Sequence, residues 1–98
     1  MRAMASKAHI FLLYLIMKVE VHIVYIVKCA NNTFYVGCTS NLENRLRRHS
    51  KGEVISTKNR LPVELITHIN FTDKYKAYDF EKYLKSGSGR AFMNKRFI

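Results

Sequence analysis

The chain has 98 residues, enough for one domain with a single modest core and too few for two. Hydrophobic residues make up 48% of it, which excludes a disordered tail. The formal charge is +10, from 17 Lys and Arg against 7 Asp and Glu, so polyanions are attracted. Nucleic acid leads as the partner, ahead of an anionic membrane surface or plain solubility. Cys29 and Cys38 are the only cysteines. They form no CxxC pair and are too few for a disulfide framework or a thiolate zinc site. Reduced, packed thiols in a cytoplasmic protein are the expectation.

Residues 1–18 read as an N-terminal extension to a domain spanning 19–98. Ile10 to Met17 is an apolar run of eight, preceded by Arg2 and Lys7. It is too short to span a bilayer, and no small-residue cleavage site follows it. Two alternatives stand: the segment is present and either packs as a helix or an added strand or stays loosely ordered, or translation begins at Met17.

From Val19 to Val27 the chain combines β-branched and aromatic residues with little polar interruption, the pattern of a buried strand. Ala30-Asn31-Asn32-Thr33 is a turn, because Asn tolerates the left-handed conformation, and Phe34 to Cys38 is the returning strand of a hairpin. Ser40-Asn41-Leu42-Glu43 fits a capping box with Ser40 as N-cap. The helix that follows carries Leu42 and Leu46 on one face and ends at Gly52. Residues 53–60 are polar, and Pro62 opens a third strand over 63–69. Thr72 or Asp73 caps a second helix in which Ala77, Phe80 and Leu84 share a stripe. Gly87-Ser88-Gly89 ends that helix, and a short final helix covers 91–96. The expected fold is α+β: a three-stranded, mostly antiparallel sheet flanked by helices, in the order β-β-α-β-α-α.

Within this frame several residues could carry chemistry. Tyr25 and Tyr35 lie ten apart on adjacent strands, a spacing that can bring both to one region of the sheet. Strand tyrosines are usually packing residues. Arg45 and His49 stand four apart and project from one helix face, with Arg47, Arg48 and Lys51 around them. A solvated basic face or backbone phosphate contact explains Arg47 and Arg48, whereas Arg45, between Leu42 and Leu46, belongs near the sheet. Glu81 shares the inward stripe of the second helix, and a carboxylate there needs a partner. Either a salt bridge to an arginine or a hard metal ion would serve.

The run of motifs from Val24 to about Phe97 resembles the GIY-YIG nuclease superfamily, in particular its small single-domain bacterial members. Ile23-Val24-Tyr25 stands for the first motif and Tyr35-Val36-Gly37 for the second, while Thr39 to His49 is similar to the helix bearing the family's arginine. Arg60-Leu61-Pro62-Val63, Glu81-Lys82-Tyr83-Leu84-Lys85 and Gly89-Arg90-Ala91-Phe92 resemble the later motifs. Two positions depart from the pattern: Ile23 replaces the first glycine, and Cys38 stands where a lysine is often found, which weakens phosphate contact or slows hydrolysis.

The resemblance implies a metal-dependent endonuclease acting on DNA, with RNA left open, a protein partner allowed and no stable membrane association. Glu81 would bind Mg²⁺ or Mn²⁺, Arg45 would hold a phosphoryl oxygen, and Tyr25 would take the proton of the attacking water once nearby positive charge lowers its pKa. Tyr35 and His49 would orient the water, relay its proton or hold the phosphate. Asn94 matches loosely a family asparagine near the site. Arg47, Arg48, Lys51, Lys58, Arg60, Lys85 and Arg90 are the candidates for nucleic-acid contact. One alternative is a nucleic-acid-binding module that keeps the fold without cutting. Another is a membrane-associated protein anchored by residues 10–17.

Overall fold

The computed structural model describes residues 7–9, 11–12 and 20–98. Most of the apolar run at 10–17 therefore lies outside the described residues; residues 7–9, 11 and 12 are helical and exposed. No helix among the described residues is long and apolar enough to cross a membrane.

Three strands, β1 (His22–Cys29), β2 (Phe34–Thr39) and β3 (Val63–Phe71), form an antiparallel sheet in the order β2-β1-β3. β1 is central, and Ile23 to Val27 are all buried, which accounts for its continuous apolar sequence. Both of its faces are covered. On one, Val24, Ile26 and Val36 join Ala77 and Leu84 of helix α2 (Lys74–Leu84) and Met93 of helix α3 (Gly87–Arg96) in the main core. On the other, Tyr25 meets helix α1 (Leu42–Ser50) through His49. The β1–β2 turn matches its sequence signature: Asn32 takes the left-handed conformation with φ 66°, and Asn31 Oδ1 accepts from the Thr33 N–H.

Several boundaries differ from the sequence expectation: β1 runs from His22 to Cys29 rather than over 19–27, and β2 ends one residue later, at Thr39. α1 is capped by Asn41, not Ser40; Asn41 is extended (φ −142°, ψ 93°) and its side chain accepts from the Asn44 N–H at 3.0 Å. Glu43 thus falls one residue short of the capping-box position and pairs with Arg47 instead. Gly87-Ser88-Gly89 does not end α2, whose C-cap is Lys85. It begins α3, because the Ser86 hydroxyl caps the Gly89 N–H at 3.1 Å. The third strand extends two residues beyond the expected 69, its end paired through His22 and Phe71. Two other boundaries agree, with Asp73 capping α2 and Gly52 leaving α1 at φ 72°.

The two α3 glycines differ in what surrounds them. A Cβ at Gly89 would overlap the backbone of Tyr83 and Leu84, whereas one at Gly87 meets nothing within 4 Å. Gly89→Ala is therefore expected to destabilise the fold by roughly 1–3 kcal/mol. Gly87→Ala should stabilise it by about 0.4–1 kcal/mol through the unfolded chain. Urea unfolding of the two variants measures both signs.

Candidate active site

The register Tyr25↔Gly37 and Val27↔Tyr35 puts both tyrosines on the α1 face of the sheet, since side chains alternate along a strand. Their rings stand 6.2 Å apart, centroid to centroid. The glycine of the second motif has a steric explanation. Tyr25 lies directly over Gly37, so a Cβ there would come within 2.7 Å of the ring carbon Cε1. Only a residue without a side chain lets the phenol lie flat enough to reach α1.

What it reaches is His49. The Tyr25 hydroxyl and His49 Nε2 are 2.8 Å apart, and both side chains have 0% exposure. The imidazole meets the Tyr25 and Tyr35 rings edge-on, at 5.6 and 5.5 Å between centroids. Its other nitrogen, Nδ1, lies 2.7 Å from the hydroxyl of Thr57, itself fully buried. Burial lowers the His49 pKa, and repulsion from Arg45 and Arg48 adds to the effect, so the ring is neutral at pH 7.

Arg45 stands one turn before His49 on the same face; its charge favours the ionised form of the Tyr25 phenol, and its Nη1 donates to the Cys38 carbonyl at 3.5 Å. Its charge does not achieve what the sequence reading expected. Burial is the larger influence, and it pushes the Tyr25 pKa up to about 12, with Tyr35 and Glu81 adding to the rise and Arg45 only partly offsetting it. Tyr25 is thus a protonated phenol at neutral pH.

Glu81 approaches from the opposite side. Its negative charge raises the pKa of both Tyr25 and Cys38. The partner it has is a lysine, not an arginine: Lys85 Nζ lies 3.2 Å from Glu81 Oε2, with side-chain exposures of 51% and 24%. The same ammonium sits 5.9 Å from the Tyr35 ring centroid, within cation–π range. Burial raises the Cys38 thiol, Glu81 adds to the rise, and Arg45 and Lys85 oppose it, so charges from α1 and α2 meet at this edge-strand residue. Both cysteines are free.

The other candidates separate into three groups. Arg47 and Arg48 are exposed and loosely paired with Glu43 and Glu53 at 3.8 Å, and Lys51 and Lys58 are also exposed. Arg60 is engaged by the protein itself: its guanidinium donates to Thr33 Oγ1 at 2.6 Å and twice to the Ser56 carbonyl, tying the 53–60 loop to the hairpin turn. Arg90 and Asn94 line a cavity of about 570 Å³ beside Tyr35 and Lys85, floored by Val36, Leu84 and Met93. The sequence reading missed Thr57. Nothing in a polar loop distinguished it from its neighbours. The Glu81–Lys85 pairing was legible as an i, i+4 spacing of opposite charges.

This arrangement and the sequence agree on the family. The model of the GIY-YIG catalytic domain matches residues 21–96, and the chain belongs to that family. The chain is similar to a UPF0213 protein of Lactococcus lactis subsp. cremoris (strain SK11), 42% identical over 65 residues that cover 65% of this chain and 66% of that protein. It is also 40% identical over 70 residues to the UPF0213 protein YazA of Bacillus subtilis (strain 168), covering 70% and 71% of the two chains. The solution NMR structure of the UPF0213 protein BH0048 from Bacillus halodurans superposes with a TM-score of 0.50 at 27% identity, covering 76% of this chain and 83% of that one.

Two outcomes follow from the buried pair. Gly37→Ala should displace the Tyr25 ring and lower stability by roughly 1–3 kcal/mol, read as a lower Tm together with an altered Tyr25–His49 contact by NMR. Because the His49 pKa is lowered from 6.5 on folding, the unfolded chain takes up more protons as pH falls below that value. The stability held above pH 6.5 should be lost progressively as pH falls through the folded value. Chemical denaturation between pH 7.5 and 5 should give a shallower slope for His49→Gln than for the wild type.

Proposed function

We propose that this protein is an endonuclease that hydrolyses phosphodiester bonds in DNA with one divalent metal ion. The observation that carries the reading is the meeting of Tyr25, Tyr35 and His49 in mutual contact, with Arg45 and Glu81 acting on the same phenol from opposite helices. Phosphodiester hydrolysis needs a deprotonated water, cations on the phosphoryl oxygens and support for the departing alkoxide. This cluster offers chemical groups suited to each need.

Among the described residues there is no group of three or more His, Cys, Asp or Glu that could hold a metal ion. Glu81 alone would hold it, with water and substrate phosphate completing the shell, as suits Mg²⁺. The fit rests on Glu81 itself: a partly buried carboxylate whose counter-charge is a half-exposed ammonium that an ion can replace. When bound, the ion supplies neutralisation of the phosphoryl oxygens and support for the leaving 3′ oxygen.

The chain's own residues would act as follows. Tyr25 is buried and reaches no solvent. The Arg45 guanidinium, held at rest only by a long bond to the Cys38 carbonyl, would turn to grip a phosphoryl oxygen through its two-pronged fork. A phenol with a pKa of about 12 is a poor base unless its own proton departs. The proton crosses 2.8 Å to His49 Nε2 while the attacking water gives one to the phenolic oxygen. One water O–H bond breaks, the Tyr25 O–H is exchanged, and an N–H bond forms on His49. The hydroxide attacks phosphorus, and the departing oxygen takes a proton from solvent. Lys85, released from Glu81, remains beside Tyr35 as a cation for the phosphate and so compensates for the absence of lysine at position 38. Arg47, Arg48, Lys51 and Lys58 would follow the backbone, and Arg90 and Asn94 would line its path past Tyr35. The free thiols are compatible with the reducing cytoplasm, the location this reading assumes.

The rival reading is a nucleic-acid-binding module that does not cut. It is favoured by Cys38 and by a carboxylate already neutralised through Lys85. Cleavage assays on labelled duplex, nicked, flapped, branched and single-stranded DNA, with matching RNA and added Mg²⁺ or Mn²⁺, decide between them. The nuclease reading expects cutting of at least one DNA, abolished by chelation. Glu81→Gln and Arg45→Lys should each slow it by about 10²–10³-fold. The rate should hold through the range where a free imidazole titrates and decline only at lower pH, because burial lowers the pH at which His49 protonates. Wild-type rates from Glu81→Gln would overturn the assignment, and salt-sensitive binding with no cutting would favour the rival.

A further inference from the structure

The residue that holds His49 from behind has no part in the reaction described above, yet it determines whether His49 can play its part. Thr57 lies in the loop between α1 and β3, eight residues after His49, and is wholly buried although its neighbours Ser56 and Lys58 are exposed. Two backbone bonds fix this turn: the N–H groups of Thr57 and Lys58 both donate to the Val54 carbonyl at 3.0 Å. The Thr57 hydroxyl therefore sits at a fixed point, 2.7 Å from His49 Nδ1 and 3.4 Å from the Val54 oxygen.

A neutral imidazole has one N–H and one lone pair, and its two tautomers can be tested by counting protons and acceptors. With the proton on Nε2, that nitrogen would donate to Tyr25. The Tyr25 hydroxyl has no hydrogen-bonding neighbour other than His49 among the described residues, and the guanidinium of Arg45 carries only donors. The phenolic proton would then have no acceptor among the described residues. With the proton on Nδ1, every proton has one. Tyr25 donates to His49 Nε2, His49 Nδ1–H to Thr57, and the Thr57 hydroxyl to the Val54 carbonyl by the longer contact. The bonds run in one direction and end on the backbone, the arrangement in which each strengthens the next.

We propose that Thr57 is a positioning residue that accepts the Nδ1 proton of His49, fixing the tautomer whose Nε2 receives the phenolic proton of Tyr25. The mechanistic consequence rests on the nuclease reading given above, but the tautomer does not. Thr57 also retains His49 after transfer, because an imidazolium presents N–H on both nitrogens and Nδ1–H still points to the same oxygen. The proton gained on Nε2 returns through Tyr25 once product leaves.

Nitrogen-15 NMR of the full-length protein with labelled histidine, near pH 7.5, reads the tautomer directly without any substrate. The expected result is a protonated, pyrrole-type Nδ1 and an unprotonated, pyridine-type Nε2 on His49. This pattern should be preserved in Thr57→Ser, which keeps the hydroxyl, and lost or averaged in Thr57→Val. In the cleavage assay, Thr57→Val should lower kcat by about 10²-fold with little change in KM, as expected when a proton acceptor is mispositioned and binding is not. Thr57→Ser should restore most of the rate. A wild-type His49 protonated on Nε2 overturns the proposal, and so does a folded Thr57→Val with unchanged tautomer and kcat. If the valine variant fails to fold, the wild-type and serine spectra still decide. A wild-type protein that cuts nothing would count against the nuclease reading alone, leaving the spectra to judge Thr57.

Discussion

Tyr25 sits on the central strand with a bare backbone under its ring and an imidazole at its hydroxyl, and most of the site geometry follows from that confinement. Gly37 permits it by offering no Cβ beneath the ring. The pairing of Tyr25 with Gly37 across the hairpin fixes where the phenol ends, and α1 then has to deliver His49 to meet it. Arg45 is brought to the same phenol by the helical repeat, because it stands one turn earlier on the same face. A fully buried hydroxyl also demands a partner. The chain through His49 and Thr57 meets that demand, and no buried side-chain nitrogen or oxygen among the described residues is left without a hydrogen bond.

The electrostatics of the cluster are balanced in a way that matters for chemistry. Burial holds Tyr25 protonated and His49 neutral, so the pair is at rest with its proton on the phenol. Arg45 favours the phenolate while Glu81 opposes it, and Lys85 in turn screens Glu81. Any anion drawing on Arg45 and any cation drawing on Glu81 would disturb this balance together. A phosphodiester accompanied by a divalent ion is such a pair of ligands, which is the physical link between the resting structure and the proposed reaction. The excess of Lys and Arg over the surface supplies the longer-range attraction that would bring a polyanion to it.

Much of the fold was legible because the hydrophobic periods were clear. The unbroken run in β1 announced a strand covered on both faces, and the stripe of Ala77, Phe80 and Leu84 gave α2 its inward side. The errors arose where adjacent residues were chemically equivalent. Ser40 and Asn41 are both good caps, and the choice was made by which side chain reached the Asn44 N–H. Gly87 and Gly89 looked like a helix terminator, yet Ser86 before them is a cap and Gly89 is needed where two helices approach closely. At the candidate site, spacing put Arg45 and His49 on one helix face and the family resemblance singled out Tyr25, Tyr35 and Glu81, but neither gave their environments. Sequence shows a cation four residues from His49; it does not show how deeply the phenol beside both is buried, and burial decided the direction of its pKa. Thr57 was invisible for the same reason, since only tertiary contact distinguishes it from Ser56.

The central claim is that Glu81, Arg45 and the two phenols surround one phosphate. A crystal structure of the protein with Mn²⁺ and a non-cleavable DNA analogue tests it most directly, because manganese can be located by its anomalous scattering. The account predicts the ion on the Glu81 carboxylate, Lys85 moved off it, and a backbone phosphate held by Arg45 next to Tyr25 and Tyr35. An ion bound elsewhere, or DNA lying across β3 with Arg45 still on the Cys38 carbonyl, would contradict it.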